Sequence, residues 1–161
     1  MNICGIDLSS FAIDIVRIHD TGTVDWHRFP LEGQDAWERT RNVPYAIPSP
    51  TDEFWDETTA IGIEQPAGHH GVIPLVRVQG AILARLPKDV LVQPYMPARW
   101  RVLAGLPGHA LKADVRMRSL MLGAPEDWKV QDAYDAHLIA YAIRAELERQ
   151  NADQGDGACA A

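Results

Sequence analysis

The stretch MNICGIDLSSFAIDIVRIHDTGTVDWHRFPL, residues 1–31, decides the fold, because it packs three short apolar runs into very little chain. MNICGIDL reads as a buried strand, and SSFAIDIVRIHD leads into a second after a tight bend at Ser9 and Ser10. Thr21, Gly22 and Thr23 turn the chain into a third, VDWHRFPL. Connections this short join antiparallel neighbours, so the chain opens on a meander.

Working outward, GQDAWERTR (33–41) reads as a helix, and its period fails at VPYAIPSPTD (43–52), whose prolines mark a loop. TTAIGIEQ (58–65) is β-branched and apolar on both faces, as a central parallel strand covered by helices would be. Residues 74–86 read as a helix with Pro74 in its first turn and Pro87 as its stop. Its apolar positions cover more than one narrow stripe, so it can face both its own sheet and a second subunit. DVLVQPY (89–95) supplies a fifth strand, 98–122 is helical around a Gly-Leu-Pro-Gly interruption, and 130–150 is a long helix. One domain spans 1–150, and NADQGDGACAA (151–161) reads as a disordered tail.

The 161 residues suffice for one real core, and 47% hydrophobic with 23% charged residues is ordinary globular composition. No apolar run reaches the roughly 18–20 residues of a membrane span, and no secretory signal is visible, which places the chain in the cytoplasm. Cys4 lies in the first apolar run and Cys159 in the tail, a poor arrangement for a disulfide, and Cys4 reads as an inert core residue. The five tryptophans are scattered without period, and most of them read as core or interface anchors. A net charge of −7 argues at face value against a nucleic-acid partner. Its distribution reverses that reading: acids dominate Glu32 to Glu57, whereas Arg99, Arg101, Lys112, Arg116 and Arg118 meet only Asp114 in their stretch. A basic strip beside an acidic site suits a polyanionic substrate.

Four carboxylates sit where a chain seldom puts them. Asp7 and Glu64 close short apolar runs, and Asp132 and Asp135 are set into a mostly apolar helix. An ionised carboxylate in such surroundings is costly without a compensating cation or hydrogen bonds. A pair of divalent metals is the simplest compensator for four such acids. Residues three apart share a helix face, so Asp132 and Asp135 can point at one place, and hard oxygen donors suit Mg²⁺ or Mn²⁺ rather than zinc. Asp14 alternates with Ile13 and Ile15 and is expected to face solvent. His137 falls about half a turn off the face of Asp135 and reads as a packing or surface residue.

Three antiparallel strands, helix, strand, helix, strand and then helices is the layout of the ribonuclease H-like α/β fold, a five-stranded mixed sheet flanked by helices. Within it, GIDLSS (5–10), AIGIEQP (60–66), PARWRVLAGLPGHALKADVRMR (97–118) and QDAYDAHLIAYAI (131–143) resemble the RuvC family of Holliday junction resolvases. The short segment before Glu64 is similar to the bacteriophage members. The resemblance implies that Asp7 bridges two Mg²⁺ or Mn²⁺ ions, that Glu64 holds one, and that Asp132 and Asp135 complete the metal site. It implies a catalytic Lys112 at the scissile phosphate, after a turn one residue longer than the family's, and DNA-backbone contacts from Arg99, Arg101, Arg116 and Arg118.

Two departures stand out. The family continues its first motif with proline and glycine, where this chain has Leu8 and Ser9. It also carries an aromatic soon after IEQ, where this chain has Pro66, Ala67 and Gly68. Phe11, His69 or His70 are the candidates to contact DNA in its place, the histidines having an alternative reading as plain loop residues. The expectation is a crossover junction endodeoxyribonuclease, homodimeric through the 74–86 helix, that nicks four-way and other branched DNA in pairs. Its rivals are a non-catalytic branched-DNA-binding accessory protein and a ribonuclease H-like nuclease acting on hybrids or flaps.

Overall fold

The computed structural model describes residues 1–67 and 72–157. β1 (Asn2–Leu8), β2 (Ala12–Ile18) and β3 (Val24–Pro30) form the expected antiparallel meander. β4 (Thr58–Glu64) and β5 (Leu91–Tyr95) extend the sheet on the other side of β1 in parallel, giving the order β3-β2-β1-β4-β5. Five α-helices accompany the strands among the described residues: α1 (Ala36–Ala46), α2 (Val72–Leu83), α3 (Pro97–Leu103), α4 (Lys112–Met121) and α5 (Gln131–Gly157). None of them is long and apolar enough to cross a membrane.

Side chains alternate across a strand, and here the alternation sorts the core into two clusters. Cys4, Ile6, Ile13, Ile15, Ile61 and Ile63 face one side, where they pack with Val43 of α1 and Val78 and Ile82 of α2. Ile3, Val16, Ile18 and Ala60 face the other, against Ala136, Ile139, Ala140 and Ile143 of α5. Gly5 belongs to this second face, and a Cβ there would overlap the Ala136 carbonyl oxygen and the Ala140 nitrogen. At Gly62 an added Cβ would lie 2.9 Å from Ile139 Cγ2. These two glycines let α5 lie directly on the central strands.

Several boundaries differ from expectation. α1 runs through Pro44 to Ala46, because a proline in the last turn forfeits a single backbone bond while Val43 is fully buried. α2 starts at Val72 and ends at Leu83, where the Arg85 amide bonds the Ile82 carbonyl at 2.7 Å and tightens the chain out of the helix. β5 starts at Leu91 rather than residue 89. α5 continues to Gly157, seven residues beyond the expected end at 150, so the segment read as a tail is helical as far as 157. A helix anchored by a buried first half adds further turns at little cost.

Candidate active site

Asp7 and Glu64 sit at the C-terminal ends of the paired parallel strands β1 and β4, on the face that α5 covers. Asp132 and Asp135 occupy the first turns of α5. Because Gly5 and Gly62 bring α5 down onto the strands, the helix start lies over the strand ends. All four carboxylates then feel one another. Burial, followed by the charges of Glu64, Asp135, Asp132 and Asp14, pushes the Asp7 carboxyl well above its ordinary range. Among the described residues, no side chain donates a hydrogen bond to the Asp7 carboxylate.

Glu64 and Asp135 are also raised, chiefly by burial, but each has a donor that opposes the shift. Trp100 of α3 donates its Nε1–H to Glu64 Oε2 at 2.9 Å, and Gln131 donates its Nε2–H to Asp135 Oδ1 at 2.9 Å. Arg101 lies near enough to act on both acids, and Lys112 acts on Asp135. Lys112 is the first residue of α4, a helix whose entry is fixed by the Leu111 amide donating to Asp114 Oδ2 at 2.9 Å.

Among the described residues, no three His, Cys, Asp or Glu side chains converge tightly enough to hold a metal ion as they stand. The donor set nevertheless fits a hard divalent cation: it is all oxygen, largely buried and mutually repulsive, and one member, Asp7, accepts no side-chain hydrogen bond among the described residues.

The basic residues divide. Arg101 packs over the Trp100 ring at 5.0 Å and Arg116, exposed, over Tyr134 at 5.4 Å. Arg99 pairs with Glu146 at 2.8 Å, on an acid that also accepts from the Tyr95 hydroxyl. Arg118 donates its Nε–H to the Ala104 carbonyl at 2.9 Å, which commits it to the loop joining α3 to α4. Phe11 is 66% exposed in the β1–β2 connection, with the Arg39 guanidinium 4.6 Å from its ring. His69 and His70 lie outside the described residues.

Asp14 corrects the sequence reading. It is 1% exposed rather than solvent-facing, and accepts from Trp26 Nε1 at 2.9 Å and from Arg28 Nη1 at 3.1 and 2.9 Å. Alternation with Ile13 and Ile15 implied an outward side chain only if one face of β2 met water, and α5 covers that face. The apolar residues on both sides of β2 carried this signal, as did the short hairpin, which sets Asp14 directly opposite Asp7. The roles of Trp100 and Gln131 as donors to the acids had no local signature. His137 is fully buried against α4, where its Nδ1 pairs with Ser119 Oγ at 2.6 Å, and burial lowers its pKa to about 4. Trp37 is not a core residue: it is 56% exposed, with the Arg77 guanidinium 5.4 Å from its ring.

No protein-family model and no curated protein sequence matches this chain. Solved structures do. Thermus thermophilus RuvC superposes with a TM-score of 0.70 at 19% identity, over 93% of this chain and 97% of that one. T. thermophilus RuvC in complex with Holliday junction substrate gives 0.73 at 20% identity, over 93% and 96%. The five-stranded mixed sheet with its flanking helices is therefore the α/β, ribonuclease H-like fold of RuvC.

Proposed function

We propose that this chain is a metal-dependent endodeoxyribonuclease that resolves Holliday junctions and other branched DNA by paired nicking, of the compact bacteriophage type and active in the host cytoplasm. The observation that carries the reading is Asp7: a buried carboxylate that accepts no side-chain hydrogen bond among the described residues, its charge opposed by Glu64, Asp135 and Asp132. A bound cation stabilises such an arrangement in its ionised form. Asp7, Glu64, Asp132 and Asp135 would hold two Mg²⁺ or Mn²⁺ ions. Bound there, the ions supply an activated water and charge stabilisation for the leaving 3′-oxygen.

The chain's own residues do the rest. Trp100 and Gln131 orient Glu64 and Asp135 through the hydrogen bonds described. Lys112 and Arg101 supply fixed positive charge beside the acids, suited to a scissile phosphate and its transition state. Arg116 and, beyond its pairing with Glu146, the well-exposed Arg99 suit contacts to the DNA backbone, with Phe11 as a stacking surface. One nuclease domain accounts for residues 1–150, with α5 continuing beyond it to Gly157. A homodimer offers one site to each of the two symmetry-related strands of a junction. The 74–86 region supports this contact with Val76 and Leu83, 49% and 44% exposed, and Ile73 beside them at 67%.

The test is a labelled four-way junction incubated with protein and Mg²⁺ or Mn²⁺, beside linear, flap and hybrid substrates. Paired symmetric nicks near the crossover are expected, with Asp7→Asn and Asp135→Asn binding the junction but cutting it at least about a thousandfold more slowly. Junction binding without cutting by the parent protein would identify a non-catalytic accessory, and preferential hybrid or flap cutting a different nuclease of the same fold.

A further inference from the structure

The two strands at the edge of the sheet carry a device that reaches the site from outside the four acids. Asp14 and Arg28 are directly opposed across the β2–β3 pair, so both point to the α5 face. Arg28 Nη1 contacts both Asp14 oxygens, at 3.1 and 2.9 Å, and lies 3.6 Å from Asp132 Oδ2. Trp26, two residues earlier on the same face, donates to Asp14 and rests 5.7 Å from the ring of Trp128, just ahead of α5. The hairpin thus grips the start of α5 twice, once through a ring pair and once through a guanidinium.

The two carboxylates that Arg28 touches differ. Asp14 is buried to 1% and held by two donors, whereas the Asp132 side chain is 32% exposed and has no hydrogen-bond donor among the described residues. A partly exposed aspartate in the first turn of a helix samples several rotamers unless something holds it. The Arg28 guanidinium, fixed through Nη1 on its buried partner, is a pre-ordered cation beside that carboxylate. We infer that Arg28 is a positioning residue for Asp132, with Asp14 as its anchor, and that the pair pre-orders this one member of the metal site. The inference rests on the two-metal reading above. Residues that orient metal ligands from behind typically change affinity about 10- to 100-fold.

Removing Arg28 alone would also change the charge at the site and strand a buried carboxylate, which confuses position with electrostatics. The double replacement Asp14→Asn with Arg28→Met removes one charge of each sign, leaves an acceptor for Trp26, and avoids an uncompensated buried ion. The measurement is Mn²⁺ binding by calorimetry without DNA, which excludes any effect of Arg28 on the substrate, with thermal unfolding to verify the fold. The double variant is expected to bind Mn²⁺ about tenfold more weakly than the parent. In an Asp132→Asn background the same replacement should change affinity by less than about twofold, because no carboxylate remains to be positioned. Arg28→Lys retains the charge on a more flexible stem and is expected to fall between parent and double variant. Parent-like affinity in the double variant, or an equal loss with and without Asp132, would overturn the inference while leaving the metal site standing. A parent protein that binds no Mn²⁺ would overturn both.

Discussion

The two faces of the central sheet are made from alternate residues of the same strands, yet they solve opposite problems. The face toward α1 and α2 buries hydrocarbon, with Ile6, Ile13, Ile15, Ile61 and Ile63 meeting Val78 and Ile82. The face toward α5 buries Asp7 and Asp14, brings Glu64, Asp132 and Asp135 beside them, and admits the helix only because Gly5 and Gly62 lack side chains. The first face stabilises the fold. The second spends part of that stability on mutually repelling charges, a cost tolerated where strain serves a site.

The contrast breaks most sharply at Gly5. Gly5→Ala drives a methyl group into the backbone of α5, which has no flexible end to move aside. It is expected to lower stability by more than about 3 kcal/mol and to separate the α5 acids from the strand acids, as read by denaturant unfolding and loss of Mn²⁺ binding. A parent-like midpoint would show that α5 does not lie on β1. On the other face, Ile82→Ala leaves a cavity in a purely apolar cluster and should cost about 2–5 kcal/mol. Cleavage per folded molecule should be unchanged. A fall in turnover well below the unfolding midpoint would mean that the two faces are coupled.

The smallest effect concerns pH in the absence of metal. The Asp7 carboxyl is raised in the folded state above its unfolded value, so ionising it works against the fold. That penalty is absent below the unfolded value, near about 4, and grows as pH rises through the window up to the raised folded value. Asp7→Asn should therefore melt above the metal-free parent at pH 7, by about 2–4 °C for each kcal/mol relieved. The gap should narrow as the pH is lowered toward about 4 and shrink again on adding Mg²⁺ to the parent, followed by circular dichroism. A gap independent of pH would assign the difference to something other than ionisation.

Much of this was legible in the chain itself. The meander followed from hairpin-length connections, the parallel fourth strand from its doubly apolar pattern, and the α5 acids from their three-residue spacing. Pro44 misled because proline is a strong local stop signal, and a buried Val43 beside it outweighs that signal only in the folded molecule. Asp14 misled because alternation assigns two faces without saying which of them meets water. Arg28, Trp26, Trp100 and Gln131 gave no local sign of attachment to the acids, since each is an ordinary residue until another element supplies its partner.

The sequence by itself determined the order of elements and the positions of the four acids at strand ends and a helix start, because hydrophobic period and short turns act over a few residues. Only the tertiary structure decided that those acids share one buried face, that Asp14 lies beside them, and that Arg28 reaches across to Asp132. Those outcomes depend on α5 settling onto two glycines from distant parts of the chain, and no local pattern encodes where a helix that far along the sequence comes to rest.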